Sequence, residues 1–292
     1  MKRFFSAFCV LAVASAGAAS AAPPSATTYY ERAVAAMQAL PQLPDITYTI
    51  VANSENGTIS IHPAKGGGIA FTVGPGPNNT QRVSAAYRAV DEKVALTFPG
   101  GKHGVGHVGI LTPSWEGAYA FMHRGFLGAP KTPTPGLTPT PNLSASPLPT
   151  LPTIVVVRAF GSGFYRVTDN GAASCPSGAP GHALHLIARS DPQAHPLTDV
   201  IVDLHTMRFC AMRFAVNQSF GGVFGGTGFI QLNFASAGKY WIERHVLVDI
   251  EARALGIALK HIVLRFAYSA VAFPQSLPAS LFATSPPQPA RR

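Results

Sequence analysis

A chain of 292 residues that is 47% hydrophobic but only 12% charged, with 28 glycines and 26 prolines, is an unusual mixture. Soluble chains average about 25% charged residues, so strongly solvated side chains are here at roughly half their usual supply. The apolar content excludes a disordered chain, the lack of a three-residue glycine period excludes collagen, and the length allows a sizeable core in one or two domains.

The N-terminus gives the compartment. Lys2 and Arg3 precede the apolar run FFSAFCVLAVASAGA and then Ala19-Ser20-Ala21, which fits the small-x-small rule of a secretory leader cut after Ala21. Its strongly apolar part is roughly 13 residues, short of the ~20 needed to span a bilayer. Cys9 is not preceded by the pattern of a lipidation site, so residues 1–21 read as a cleaved signal peptide and the mature chain as periplasmic or secreted. Without Lys2 and Arg3 the net charge falls to 20 − 13 = +7. That excess is spread thinly, with no basic cluster interleaved with aromatics. It excludes a local nucleic-acid footprint and suits a peripheral contact with anionic envelope surfaces. Two cysteines remain, Cys175 and Cys210. In an oxidising compartment they form a disulfide candidate, with two buried free thiols as the alternative.

One helix opens the mature chain. ATTYYERAVAAMQAL sets Tyr30, Val34, Met37 and Leu40 on one stripe, Thr27 or Thr28 can cap its start, and Pro41 ends it. From Ile46 the period changes to two. Ile46–Val51 and the alternation at Ile59 and Ile61 flank Asn56-Gly57, a tight-turn pair, so a hairpin is expected there. Further strands are expected at Ile69–Val73, Val83–Val90 and Val94–Phe98. The second half continues with Ile154–Phe160, Phe164–Val167, Leu184–Ala188, Val200–Leu204, Met207–Val216, Phe229–Phe234, Tyr240–Ile250 and Leu259–Tyr268. Many short strands joined by Gly, Pro, Asn and Asp indicate an antiparallel sheet or partial barrel. Between the halves lies a Pro-rich stretch, 129–153, with eight prolines from Pro130 to Pro152 and Lys131 as its one charge. It reads as a loop inserted into a single domain over 22–273, with an interdomain linker as the alternative. The Pro-rich tail, 274–292, is expected to fray.

Catalytic and metal motifs fare poorly. His103-Gly-Val-Gly-His107 has ligand types four apart, but its glycines oppose the helix such spacing needs, so a flexible loop is expected. His182 and His185, three apart around a strand start, point to opposite faces. GGVFGGTG at 221–228 lacks a following Lys-Ser/Thr pair and helix, and reads as a wide hairpin turn. Asp91-Glu92 suits a turn, and Asp199 with Asp203 a strand and its adjoining turn. There is no GxSxG elbow and no Ser-x-x-Lys pair. Neither an enzyme nor a cofactor or metal is expected.

The second half carries a resemblance. HALHLIARSDPQAHPLTDVIVDLHTMRFCAMRF runs strand, Asp-Pro break, strand, Asp203-Leu204-His205-Thr206 turn, strand; GKYWIERHVLVDIEARALGIALKHIVLRFAYSAVAFP follows with Gly238, Trp241 and an aromatic ending before Pro274. These patterns, with the opening helix and Ile46–Val51, resemble the LolA/LolB and LppX-like periplasmic proteins. The resemblance implies a mainly β (α+β) fold: a curved antiparallel half-barrel sheet, an N-terminal helix, and helices plugging an apolar cavity. It also implies a carrier of lipids or lipid-modified proteins without covalent chemistry, with no catalytic residues to transfer.

From the residues themselves, Ile230, Leu232 and Phe234 alternate with Phe229, and Ile262, Leu264 and Phe266 with Val263, so the late strands read as apolar on both faces. One face would line a cavity, for which Tyr48, Ile50, Ile230, Leu232, Phe234, Leu264 and Phe266 are the candidate lining; a plain sandwich core uses the same residues. The expected function is non-covalent binding or carriage of an acyl chain, lipid or other apolar ligand, with an envelope lipoprotein as the macromolecular form of that partner. The alternative is a secreted structural or interaction module.

Overall fold

The structure is a computed structural model and describes residues 24–63, 68–106, 111–114, 161–220, 224–254 and 257–283. The expected leader, the stretch 129–153, the strand Ile154–Phe160 and the tail beyond residue 283 lie outside the described residues.

Helix α1 (Ala26–Gln38) starts one turn earlier than Thr28 would set it: Ser25 is the cap, its hydroxyl accepting from the Thr28 amide at 3.2 Å. The expected stripe packs inward through Tyr30 and Met37, joined by Ala33. Among the described residues thirteen strands follow: β1 (Ile46–Ser54), β2 (Thr58–Pro63), β3 (Ile69–Gly74), β4 (Thr80–Arg88), β5 (Lys93–Thr97), β6 (His103–Gly106), β7 (Tyr165–Ser174), β8 (Pro180–Ala188), β9 (Leu197–Asp203), β10 (Phe209–Phe220), β11 (Phe224–Ala237), β12 (Tyr240–Ala254) and β13 (Ile257–Ala272). Eleven of them form one sheet in the order β6-β5-β4-β1-β13-β12-β11-β10-β9-β8-β7, and β2–β3 pair separately. Every pairing is antiparallel. The large sheet is curved and not closed into a barrel, as the expected fold class required.

From β7 to β13 the chain meanders, each strand beside its sequence neighbour. The exception is β1, which lies between β4 and β13 and so hydrogen-bonds the first half of the chain to the last strand of the second. The segments on either side of 129–153 therefore share one sheet.

Three local expectations need correction. Asn56-Gly57 does turn the chain, but β2 pairs with β3 instead of folding back on β1. Gly57 has φ 139° and its backbone runs so close to Gly74 that a Cβ would sit 2.5 Å from the Gly74 carbonyl. The hairpin is laid across the sheet, and side-chain amides stand in for ladder bonds. Asn79 accepts from the Ile59 amide (2.7 Å) and donates to its carbonyl (2.8 Å), and Gln81 does the same for Ile61 (2.5 and 2.8 Å). Second, His103–Gly106 is an edge strand and no loose loop; Gly104 lies so close to the Gly68 carbonyl that a Cβ would meet it at 2.8 Å. Third, the tail is docked as far as a short 3-10 turn at Ala279–Phe282. Phe282 is buried on the outer face of the sheet with Ala86, Ala95 and Val105, under the Arg88 guanidinium 4.1 Å from its ring centre.

Cys175 and Cys210 are bridged, with an S–S distance of 2.01 Å. The bond ties the β7–β8 turn to β10 across the intervening β9. Both half-cystines are buried. A cross-link spanning 35 residues restricts the unfolded chain by about 3–4 kcal/mol on the loop-entropy relation. Cys210→Ser should lower the urea-unfolding stability by that amount, with a larger m-value because the freed unfolded chain exposes more surface. A loss under about 1 kcal/mol would show that the bridge adds little to the burial already present.

Candidate functional site

Cross-strand register places the expected lining residues on one face. One rung runs Leu184–Val200–Met212–Leu232–Val246–Phe266–Ala52 across seven strands. The next runs Phe214–Ile230–Val248–Leu264–Ser54. Tyr48, Ile50 and Phe234 share this inner face, so all seven named residues lie together, and all are buried. Fully burying side chains of this size is worth about 1.5–3 kcal/mol each, which makes the inner face the main source of stability. Described elements cover it from two directions. The helix α1 lies over the β7–β10 end, with Tyr30 packed on Tyr165 and Phe209. The β2–β3 hairpin covers the β1–β4–β6 end through Ile59 and Ile61.

The outer face is not the second apolar face that the sequence suggested. It carries Gln231, Asn233, Asp249, His261 and Arg265 between the inward positions, with His261 donating to the Asp249 carboxylate at 2.7 Å. Phe229 lies beneath the Arg213 guanidinium, 3.6 Å from its ring centre, and is thereby shielded by a cation. Val263 alone of the two expected outer apolar residues is buried.

One buried group was missed by the sequence reading. Counting alternately back from Val246 would aim Arg244 inward and Glu243 outward. A register shift intervenes: Asn233 pairs with His245 but Phe234 with Glu243, so β12 carries one extra residue. This bulge turns the Glu243 carboxyl into the interior, where it is 0% exposed. Alternation gave no signal for it; the clue available was that Glu243 is the one acid in the WIERHVLV stretch.

Around Glu243 stand two tyrosines, Tyr48 from β1 and Tyr268 from β13, their rings edge to face at 5.9 Å. The residues Leu111–Ser114, outside any strand, fill the space above them. Tyr48 donates its hydroxyl to the Leu111 carbonyl at 2.5 Å, and the Glu243 amide donates to the Pro113 carbonyl at 3.2 Å. Neither carboxyl oxygen of Glu243 has a hydrogen bond of ordinary geometry among the described residues. Burial drives its pKa well above the usual carboxylate range, and the Tyr268 hydroxyl beside it offsets only part of that rise. Tyr48 and Tyr268 are pushed up as well, first by burial and then by the Glu243 charge. A neutral carboxyl is the state such a site selects, because an unpaired buried charge costs far more than protonation.

The other singled-out residues lie elsewhere. His182 and His185 do point to opposite faces: His182 stacks on Tyr29 of α1 at 4.6 Å and reaches Asp169, whereas His185 pairs outside with Asp199 at 2.8 Å. Asp203 is a turn residue, its carboxylate accepting from the His205 and Thr206 amides. Asp91 is gripped by both nitrogens of the Arg88 fork, which holds its carboxyl down at about 2. Of 221–228, Phe224–Gly228 belong to β11 and pair with β10, and 221–223 lie outside the described residues. Among the described residues no three His, Cys, Asp or Glu side chains are grouped to hold a metal, and no helix is long and apolar enough to cross a membrane.

No protein-family model matches this chain, and no curated protein matches it. Solved structures similar to it include a Vibrio parahaemolyticus domain described as an outer membrane lipoprotein-sorting protein domain, at 12% identity and TM-score 0.34 over 88% of this chain and 97% of that one. A LolA superfamily protein from Nitrosomonas europaea shares 14% identity at TM-score 0.32, over 89% and 98%. A DUF1329 family protein from Desulfovibrio piger shares 10% at TM-score 0.34, again over 89% and 98%. Superpositions this loose carry no argument about what the site holds.

The raised pKa of Glu243 has a thermodynamic consequence. The folded protein keeps a proton that the unfolded chain releases above about 4.5, so this group's contribution is fully present below that pH and is lost as pH rises. Glu243→Gln removes the titration. Its stability relative to the parent should therefore climb from pH 4 to pH 8, no more steeply than about 1.4 kcal/mol per pH unit. Parallel urea-stability curves for the two proteins across that range would mean that Glu243 is not held neutral.

Proposed function

We propose that this is an exported periplasmic protein that binds or carries an acyl chain, lipid or other apolar ligand non-covalently between the inner face of its sheet and the elements lying over it. The observation that carries the reading is the inner face itself, with one apolar rung running from β8 to β1 and a second from β10 that ends at Ser54, on a curved, open sheet. The elements described over it are a single helix, a hairpin and a four-residue segment, packed on the sheet through Tyr30, Ala33, Met37, Ile59, Ile61 and Leu111. An open sheet covered by separate pieces can admit a chain between layers without breaking its ladder. The ligand gains about 0.8 kcal/mol for every methylene taken from water, which offsets the apolar contact given up where a covering element moves aside. The basic surface and the leader-like N-terminus agree with work beside anionic envelope membranes.

Protein purified from an envelope fraction should release a stoichiometric acyl species on solvent extraction and mass spectrometry. Leu232→Glu and Phe266→Glu, each checked for a native circular-dichroism spectrum, should lose it. Empty protein that also fails to bind a fluorescent fatty acid would sink the carrier reading and leave a structural or interaction module.

A further inference from the structure

The Glu243 cluster has a property that an apolar container does not require: it presents hydrogen-bond donors to a dry interior. We infer that Tyr48 and Glu243 are the polar end of the ligand site, where they hold the carbonyl oxygen of an uncharged acyl ester once it has displaced Leu111–Ser114. The inference rests on the acyl-chain reading of the interior.

Three observations lead there. The first is the occupant. Leu111–Ser114 belongs to no strand, yet it is buried and meets the sheet here with backbone carbonyls: Leu111 accepts from the Tyr48 hydroxyl and Pro113 from the Glu243 amide. A carbonyl flanked by an apolar side chain is what an acyl ester also offers. Exchange of one for the other conserves the Tyr48 hydrogen bond, so the tyrosine is never left unpaired and buried. The second is the unused capacity of Glu243. Its side chain is wholly buried and neither oxygen has a hydrogen bond of ordinary geometry among the described residues. A neutral carboxyl keeps one O–H donor for an arriving oxygen. The bulge that turns it inward also turns in Trp241, two residues away, which packs in the main core and donates to the Phe209 carbonyl.

The third observation concerns charge and direction. The buried polar residues described are Ser54, Thr112, Ser114, Asp203 and Glu243, with no cation among them. A carboxylate or phosphate head would bring an uncompensated charge into this interior, whereas an ester would not. Beside the cluster, the rungs through Val246 and Val248 continue away from Glu243 and are lined by Leu232, Phe266, Ile230 and Leu264, giving an acyl tail a path along β12.

The test compares a long-chain methyl ester, the n-alkane of the same length and the matching alkyl phosphate as competitors of a fluorescent acyl probe. The whole protein should favour the ester over the alkane by about tenfold for each hydrogen bond formed. It should favour the ester over the phosphate at pH 7. Tyr48→Phe, which keeps the ring, should cut the ester-to-alkane ratio about tenfold, chiefly by raising alkane affinity, because the bond to Leu111 is no longer sacrificed. Glu243→Leu should also reduce the ratio, and Glu243→Gln, which keeps an N–H donor, should largely preserve it. A ratio unmoved by Tyr48→Phe and Glu243→Leu, with alkane and ester still bound, would overturn this assignment and leave the apolar-ligand reading intact. Failure of the parent protein to bind any of the three would overturn both.

Discussion

The pairing of β1 with β13 is the constraint on which the rest depends. A strand from the first half of the chain is inserted beside the last strand, with Ile50 opposite Tyr268, Ala52 opposite Phe266 and Ser54 opposite Leu264. Without it the meander β7–β13 and the ladder β4–β6 would be separate sheets with four exposed edges in place of two, each an invitation to pair with another chain. With it, eleven strands share one inner face and a single apolar cluster. The same pairing sets Tyr48 against Tyr268 and brings both over Glu243, so the site exists only when the two halves of the sequence are joined. Such a contact closes a loop of more than two hundred residues, which costs entropy but grows only slowly with length.

Among the described residues the interior is apolar apart from a few buried hydroxyls, the turn residue Asp203, and Glu243, the one acid turned onto the inner face. An inward Leu in place of Glu243 would suit the packing, and a strand without the extra residue at Arg244–His245 would keep regular pairing. The protein has both the bulge and the buried acid. Placing a carboxyl there costs desolvation, and the cost is reduced by keeping it neutral, next to Tyr268. The segment Leu111–Ser114 above it lies outside the ladder, whereas the disulfide and the β7–β13 pairings tie the strands to one another.

Much of the fold was legible in the sequence. The helix stripe, the period-two strands and the Cys175–Cys210 pair each follow from side-chain spacing or compartment. Gly238 marks the β11–β12 turn because its φ of 58° suits glycine. The failures share one cause: periodicity describes a strand but not its partner. Asn56-Gly57 looks like a hairpin because local turn chemistry is visible, whereas the long-range choice of β13 for β1 is not. The seven inner-face residues were identified because alternation is strong there. Their described neighbour Glu243 was not, because a bulge reverses alternation without altering composition, and the outer-face Phe229 looked core-like because its Arg213 cover comes from another strand.

The central claim is that a ligand chain enters beside the inner face of β11–β13. Trp241, buried two residues from Glu243 and donating to the Phe209 carbonyl at 2.9 Å, reports on that place. The most direct measurement is titration of a Trp115→Phe protein, in which Trp241 is the one remaining tryptophan, with an acyl ester brominated along its chain. Bromine quenches indole fluorescence on contact. The account predicts saturable quenching of Trp241, abolished by excess unbrominated ester. Saturable binding by a separate assay with Trp241 emission unchanged would place the ligand elsewhere and contradict the account.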